Sequence, residues 1–338
     1  MRRRLTRPGI ALALTCLLGA GLPAAAAVSP LAGQQPPAGC HDRLNSHDGL
    51  NTITVPPPKG VNITDDHVNV ILPQGYCDPS RGSARYPVLY LLHGAGDTYG
   101  AWAAKTDVVS FSKAYRLIIV MPDGGANKTA GWYSNWLDGE YQWETYHIAV
   151  LQGFIDDNYR TLRDDLGIAG LSMGGFGAMS YAARHPGMFK AAASFSGALD
   201  MLYGAPVTGV VFTQLHSMYG TPNAGVWGDQ IQNYRTWSSH NPASLAARLK
   251  GTAVFLASGT GTPGGAHGDD PGNPGGYALE NGIFQMNLSM VRALDLAGVA
   301  HTDDFYPGGY HGWPYWQADL HWALPQIASI LDAGAAHH

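Results

Sequence analysis

"IAGLSMGGFGAM", residues 168–179, sets a serine between glycines 170 and 174, directly after an apolar run. Glycines placed two residues to either side of a polar residue mark a turn too tight for neighbouring Cβ atoms. The run before it, 166–171, suits a buried strand, and the small-residue stretch 174–184 reads as a helix. In that context a G-x-S-x-G serine projects its hydroxyl at the end of a sheet, above a helix N-terminus that favours developing negative charge. Ser172 is therefore the candidate nucleophile, the alternative being a serine in an ordinary glycine-rich turn.

Further strand-like runs lie outward of this point, at 67–72 (HVNVIL), 87–92 (PVLYLL), 116–121 (RLIIVM), 252–257 (TAVFLA) and 301–306. Most are continuous apolar stretches, as in central strands covered on both faces. Helical patterns over 146–158, 174–184, 286–297 and 316–331 alternate with them. This alternation predicts an α/β architecture, a mostly parallel sheet with helices on both faces. In such sheets the site gathers outside the C-terminal ends of the strands. Residues 199–249 fit the rhythm least and read as an insertion able to shape a pocket, so that 49–335 forms one domain.

The chain opens with Arg2, Arg3, Arg4 and Arg7, an apolar stretch from Ile10 to Leu22, and small residues ending at Ala27. That pattern predicts a cleaved signal peptide over 1–27 and a secreted protein, with a loose leader over 28–48. Four of the 20 basic residues lie in that segment, so the remainder holds 16 against 25 acidic residues, a formal net charge of −9. An acidic chain with no basic run is a poor partner for nucleic acid. Of the cysteines, Cys16 falls in the signal segment. Cys40 and Cys77 are expected to form a disulfide, which export permits; two free thiols are the alternative. No metal is expected, since two cysteines without a nearby H-x3-5-H make no zinc set.

A serine nucleophile needs a base and an orienting acid, here in the chain order serine, acid, histidine. His311, in "YPGGYHGW" (306–313), follows the last strand-like run in a glycine-rich turn and is the candidate base. His321 falls in the final helix, His240 and His267 precede the last strand, and His337 and His338 sit at the terminus. Glu280, Asp269 and Asp270 are the candidate acids, whereas Asp303 and Asp304 lie too close to His311. Two backbone N–H groups are expected to hold the oxyanion, one from Met173 and one from Ala95 in "LLHGAGD" (91–97). His93 in that turn is read as structural. A zinc site joining His93 to His311 has no supporting spacing.

With these pieces in place, the chain resembles the esterase D / S-formylglutathione hydrolase superfamily of α/β-hydrolases. It is similar above all to the secreted trehalose mycolyltransferases (antigen 85 type) of mycobacterial cell envelopes. The carriers are YLLHGAGDTYGAW (90–102), GWYSNW with WETY (131–146), GLSMGGFGAM (170–179), HNPASLAARL (240–249), GTGTPGG (259–265) and YHGWPYW (310–316). The resemblance implies an α/β-hydrolase domain, Ser172 as nucleophile, His311 as base and Glu280 rather than Asp270 as acid. It further implies oxyanion donors at Ala95 and Met173, Trp313 and Gly96 beside the substrate, and an association with the cell envelope. The mycolyltransferases carry an aspartate and an arginine around their first oxyanion turn that help hold the sugar; here those positions are His93 and Gly96.

The expected activity is a secreted serine esterase acting on small-molecule, lipid or carbohydrate esters through an acyl-enzyme, with no cofactor. The alternatives are an acyltransferase using a sugar or glycerol hydroxyl, and a non-catalytic binding protein on the same scaffold. Trp132, Tyr133, Trp136 and Trp313 suggest a pocket for apolar or aromatic groups, with core packing as the other reading.

Overall fold

The computed structural model describes Leu44 and residues 46–204, 207–220 and 224–335. The expected signal peptide, Cys40 and most of the leader lie outside these. Eight strands form one sheet: β1 (Gly49–Thr54), β2 (His67–Leu72), β3 (Tyr86–Leu92), β4 (Ile118–Pro122), β5 (Thr161–Leu171), β6 (Ala191–Phe195), β7 (Ala253–Gly259) and β8 (His301–Tyr306). Their order is β1-β2-β4-β3-β5-β6-β7-β8. β1, β2 and β4 pair antiparallel at one edge, and every pairing from β4 through β3 to β8 is parallel.

Two of these strands are absent from the sequence reading. β6 is AAASF, an alanine run without the β-branched residues that mark strands, and it forms because β5 and β7 offer ladders on both sides. β1 is a half-exposed edge strand whose pattern is weak.

The helices are α1 (Ala101–Lys105), α2 (Val108–Phe111), α3 (Trp143–Thr145), α4 (Gln152–Asn158), α5 (Met173–Arg184), α6 (Val207–Tyr219), α7 (Ala224–Trp227), α8 (Tyr234–His240), α9 (Pro274–Ala297) and α10 (Trp313–Ala335). A π-helical stretch, Tyr146–Leu151, joins α3 to α4. α6, α7 and α8 all lie between β6 and β7, in the stretch read as an insertion.

Side-chain alternation along the strands splits the core in two. Val88, Tyr90, Leu92, Leu166 and Ile168 face one side, against Phe176 and Met179 of α5 and Ile283 and Met286 of α9. Leu89, Leu91, Ala169 and Leu171 face the other, against Trp102, Leu320, Leu324 and Ile327. Full burial of each such side chain is worth about 1.5–3 kcal/mol, so the central strands contribute much of the hydrophobic stabilisation of the fold.

α5 begins close to β3 because its first turn is glycine. A Cβ on Gly174 would lie 2.5 Å from Leu92 O and 2.6 Å from His93 O, both main-chain atoms. At its other end, Arg184 Nε and His185 Nε2 bond to the buried Glu144 of α3, Oε1 lying 2.9 and 2.8 Å away. Burial pushes the Glu144 carboxyl up, but the bonds from His185 and Arg184 outweigh it and bring the group from 4.5 to about 2. The folded value is the lower one, so Glu144 adds stability above pH 4.5 that is lost as the pH falls towards 2, on the order of 3 kcal/mol. Glu144→Gln is expected to lower the urea midpoint at pH 7, with the gap to wild type narrowing by pH 3. An equal deficit at both pH values would contradict this account.

Cys77 is partly buried against the core. No helix among the described residues is long and apolar enough to cross a membrane.

Candidate active site

Ser172 stands between the end of β5 and the first residue of α5, with φ 51° and ψ −119°. This is a left-handed strained position for a residue bearing a Cβ, of the kind retained where the surroundings over-determine it. Neighbouring glycines make the turn fit: a Cβ on Gly170 would come within 2.4 Å of the Gly174 carbonyl. Ser172 Oγ lies 2.8 Å from His311 Nε2. His311 Nδ1 lies 2.7 Å from Glu280 Oε2. All three residues are buried, Ser172 in the turn after β5, His311 in the turn after β8 and Glu280 on α9. His311 is held in place by its N–H, which donates to Gly276 O at the start of α9 (3.2 Å), and by Trp316, edge-on at 4.9 Å.

The other oxygen of Glu280 is equally engaged. Oε1 accepts from Ser196 Oγ (2.8 Å), Ser258 Oγ (3.0 Å) and Gly259 N–H (2.9 Å). These donors stand at the ends of β6 and β7, and the sequence reading missed them. Serines in apolar strands carry no signal until the strands are aligned. Asp319, fully buried nearby, has its carboxyl pushed well above the ordinary range, by burial first and the Glu280 charge second.

The remaining candidates stand apart from His311. Asp269 accepts from Gly264 N–H and Tyr277 OH at 2.8 and 3.0 Å, bracing the loop after β7. The N–H of Asp270 donates to Tyr277 OH. Asp303 lies 3.4 Å from His301 within β8. His321 pairs with Asp107 at the surface, His240 bonds the Thr236 carbonyl, and His267 meets Tyr315 edge-on.

The turn after β3 abuts the serine turn: a Cβ on Gly94 would lie 3.4 Å from Ser172 Cβ. Ala95 is buried, and its N–H donates to no group among the described residues; nor does that of Met173. The first amides of a helix have no intrahelical partner, so Met173 offers a free donor beside Ser172. His93 is structural, as its position suggested: its Nδ1 bonds Gly94 O and its Nε2 accepts from Gly124 N–H, each at 2.8 Å.

Gly96 is exposed, but its flank is filled by α6. A Cβ there would lie 2.4 Å from Tyr219 Cδ1. α6 also reaches the His311 side, where Gln214 Oε1 would be 2.9 Å from a Cβ on Gly275. Burial and then the Asp97 charge push the Tyr219 phenol up to about 12, so it is neutral. Trp313 is half-buried, edge-on to Trp102 and Trp316 at 5.3 Å, with Lys105 Nζ 5.1 Å over its ring. Of the two readings open for Trp132, Tyr133 and Trp136, a pocket wall or core packing, the burial supports the core. They are 2%, 0% and 6% exposed and belong to the core, where Trp132 packs on Phe176 and Trp227.

Residues 64–327 match the family described as "Putative esterase". Esterase Rv1288 of Mycobacterium tuberculosis (strain ATCC 25618 / H37Rv) is 35% identical over 251 residues, covering 72% of this chain and 52% of the relative. The chain thus spans about half the length of that relative. Diacylglycerol acyltransferase/mycolyltransferase Ag85B of Mycobacterium avium is 29% identical over 263 residues, 73% of this chain and 76% of the relative. Among solved structures, Mycobacterium tuberculosis MPT51 superposes with a TM-score of 0.66 at 25% identity, covering 84% of this chain and all of that one. The architecture is the α/β-hydrolase fold.

Proposed function

This chain belongs to the esterase family, and from that premise we propose that it is a serine esterase working through an acyl-enzyme. The observation that carries this reading is the unbroken hydrogen-bonded line from Ser172 Oγ through His311 to Glu280 Oε2. Ser172 Oγ attacks the ester carbonyl carbon while His311 Nε2 takes its proton. The negative oxygen faces the N–H groups of Ala95 and Met173; one such donor is worth about 3–4 kcal/mol in a related site. Collapse of the intermediate expels the alcohol, which takes the proton from His311. Water then gives its proton to the same nitrogen, attacks the acyl-serine and frees the acid and Ser172. Glu280 keeps the imidazole in the tautomer with Nε2 open and stabilises its charged form.

An acyltransferase reading is favoured by the activity in the name of the Ag85B relative. It differs only in the acceptor, a sugar or glycerol hydroxyl in place of water. Hydrolysis stands first because the positions that hold the sugar in mycolyltransferases are here a histidine committed to two main-chain partners and a glycine backed by Tyr219. A non-catalytic binding protein has no use for a strained, histidine-bonded serine. The substrate class is a small-molecule, lipid or carbohydrate ester, beside Trp313 and Gly96. Export by the 1–27 segment, association with the cell envelope and a Cys40–Cys77 bridge complete the proposal.

The test is a panel of p-nitrophenyl esters of increasing acyl length, with and without trehalose or glycerol, beside labelling by a fluorophosphonate. Ester cleavage with free acid as product, and a labelled serine, is the expected result. New esters in the presence of the acceptor would favour the transferase; no cleavage and no label would leave the binding protein.

A further inference from the structure

We propose that His93 and Tyr133 are positioning residues that aim the Ala95 amide, and so control turnover rather than substrate binding. This rests on reading Ala95 N–H as an oxyanion donor. Gly94 C=O and Ala95 N–H are the two ends of one planar trans peptide unit and point in opposite directions. Gly94 O is the acceptor of His93 Nδ1–H at 2.8 Å and of Asp97 N–H at 3.2 Å. With the carbonyl tied back, the Ala95 N–H faces away from the His93 ring. The preceding unit is tied in the same way, because His93 O accepts from Tyr133 OH at 3.0 Å. The following one is tied by Asn127 N–H, which donates to Ala95 O at 2.8 Å. Three consecutive carbonyls are thus held, and the middle one sets the proposed donor.

The anchor works in one tautomer. His93 Nε2 accepts from Gly124 N–H, so it carries the lone pair and Nδ1 carries the proton. Both anchoring side chains are immobile. His93 is 1% exposed and Tyr133 fully buried, and a Cβ on Gly124 or Gly177 would come 2.7 or 2.5 Å from the Tyr133 ring. Trp132 and Tyr133 both hold a left-handed φ of 49°, backbone strain that the surrounding packing must sustain. Beneath them His147, which burial brings down to about 4 and so leaves neutral, bonds Asp123 O at 2.7 Å and Tyr181 OH at 2.9 Å. Gly94 by itself would let its peptide rotate, and a half-turn would present a carbonyl to the developing negative oxygen in place of an N–H.

The test compares His93→Asn, whose side-chain N–H can take the Nδ1 place, with His93→Gln, whose oxygen can take the Nε2 place. Kinetics on p-nitrophenyl butyrate are expressed per fluorophosphonate-labelled site, so that misfolded molecules are not counted. His93→Gln is expected to lose about 10²-fold in kcat with KM within about 2-fold, and His93→Asn to keep kcat within about 10-fold of wild type. Equal losses in the two variants, or wild-type kcat in His93→Gln, overturn the proposal. If neither folds, Tyr133→Phe decides: a kcat reduced about 10-fold at constant KM supports the anchor, and an unchanged kcat overturns it. Wild-type protein that neither cleaves esters nor takes the label would instead overturn the esterase reading, and this proposal with it.

Discussion

Ser172→Ala is expected to lower kcat on p-nitrophenyl butyrate by about 10⁴–10⁶-fold while leaving the thermal midpoint within a few degrees of wild type. The size of the loss follows from the unit that Ser172, His311 and Glu280 form. Without the hydroxyl, the 2.8 Å bond to His311 Nε2 has no partner and no acyl-enzyme forms. What remains is catalysis by the oxyanion donors and by binding, which acts on water attack alone. The fold should tolerate the change because alanine retains the Cβ that already sits at φ 51°. Fluorophosphonate labelling should vanish with the activity. A variant that turns over within about 10-fold of wild type would show that another residue is the nucleophile.

Glu280→Gln is expected to cost about 10³–10⁴-fold in kcat, again with the fold intact. The direction comes from the far side of the carboxylate. Oε1 accepts from three donors, and one of them, Gly259 N–H, is main chain and cannot turn round. A glutamine must therefore leave its oxygen on that side and turn its NH2 towards His311. The imidazole can then meet it only by accepting at Nδ1, which puts the proton on Nε2. Facing Ser172, a protonated Nε2 cannot take the hydroxyl proton. Glu280→Ala should be no less damaging to rate and should also lower stability, since it leaves the buried Ser196 hydroxyl and the buried Gly259 N–H unpaired. If Glu280→Gln retained more than about a tenth of the wild-type kcat, the acid would have to be sought elsewhere.

Much of this arrangement is legible in the chain, for reasons that can be named. The serine turn announces itself because no residue but glycine fits at 170 and 174, where a Cβ would strike main-chain atoms. β2 and β8 match their sequence-based bounds because alternation and flanking glycine or proline are local signals. β6 escapes notice because its residues are alanines, and alanine reports neither face nor period. The aromatic run at 131–136 misleads in the opposite sense. Tryptophan and tyrosine suit a ligand wall and a core equally, and only their burial against Phe176, Trp227 and Gly177 assigns them to the core.

By itself the sequence determined the strand–helix rhythm, the strained serine and a histidine turn after the last strand, all consequences of neighbours within a few residues. The residues left Glu280, Asp269 and Asp270 open and the resemblance favoured Glu280, but only the tertiary structure shows that Glu280 is the carboxylate within hydrogen-bond reach of His311, because the helix α9 carries it between the ends of β6 and β7 and the His311 ring. It likewise decided that Ser196, Ser258 and Gly259 hold that carboxylate, that Tyr219 backs Gly96, and that Tyr133 ties the turn after β3. A hydrogen bond joining residues 84 apart, as between Ser196 and Glu280, leaves no trace in local pattern. It exists only once the hydrophobic burial of the sheet has brought the strand ends together.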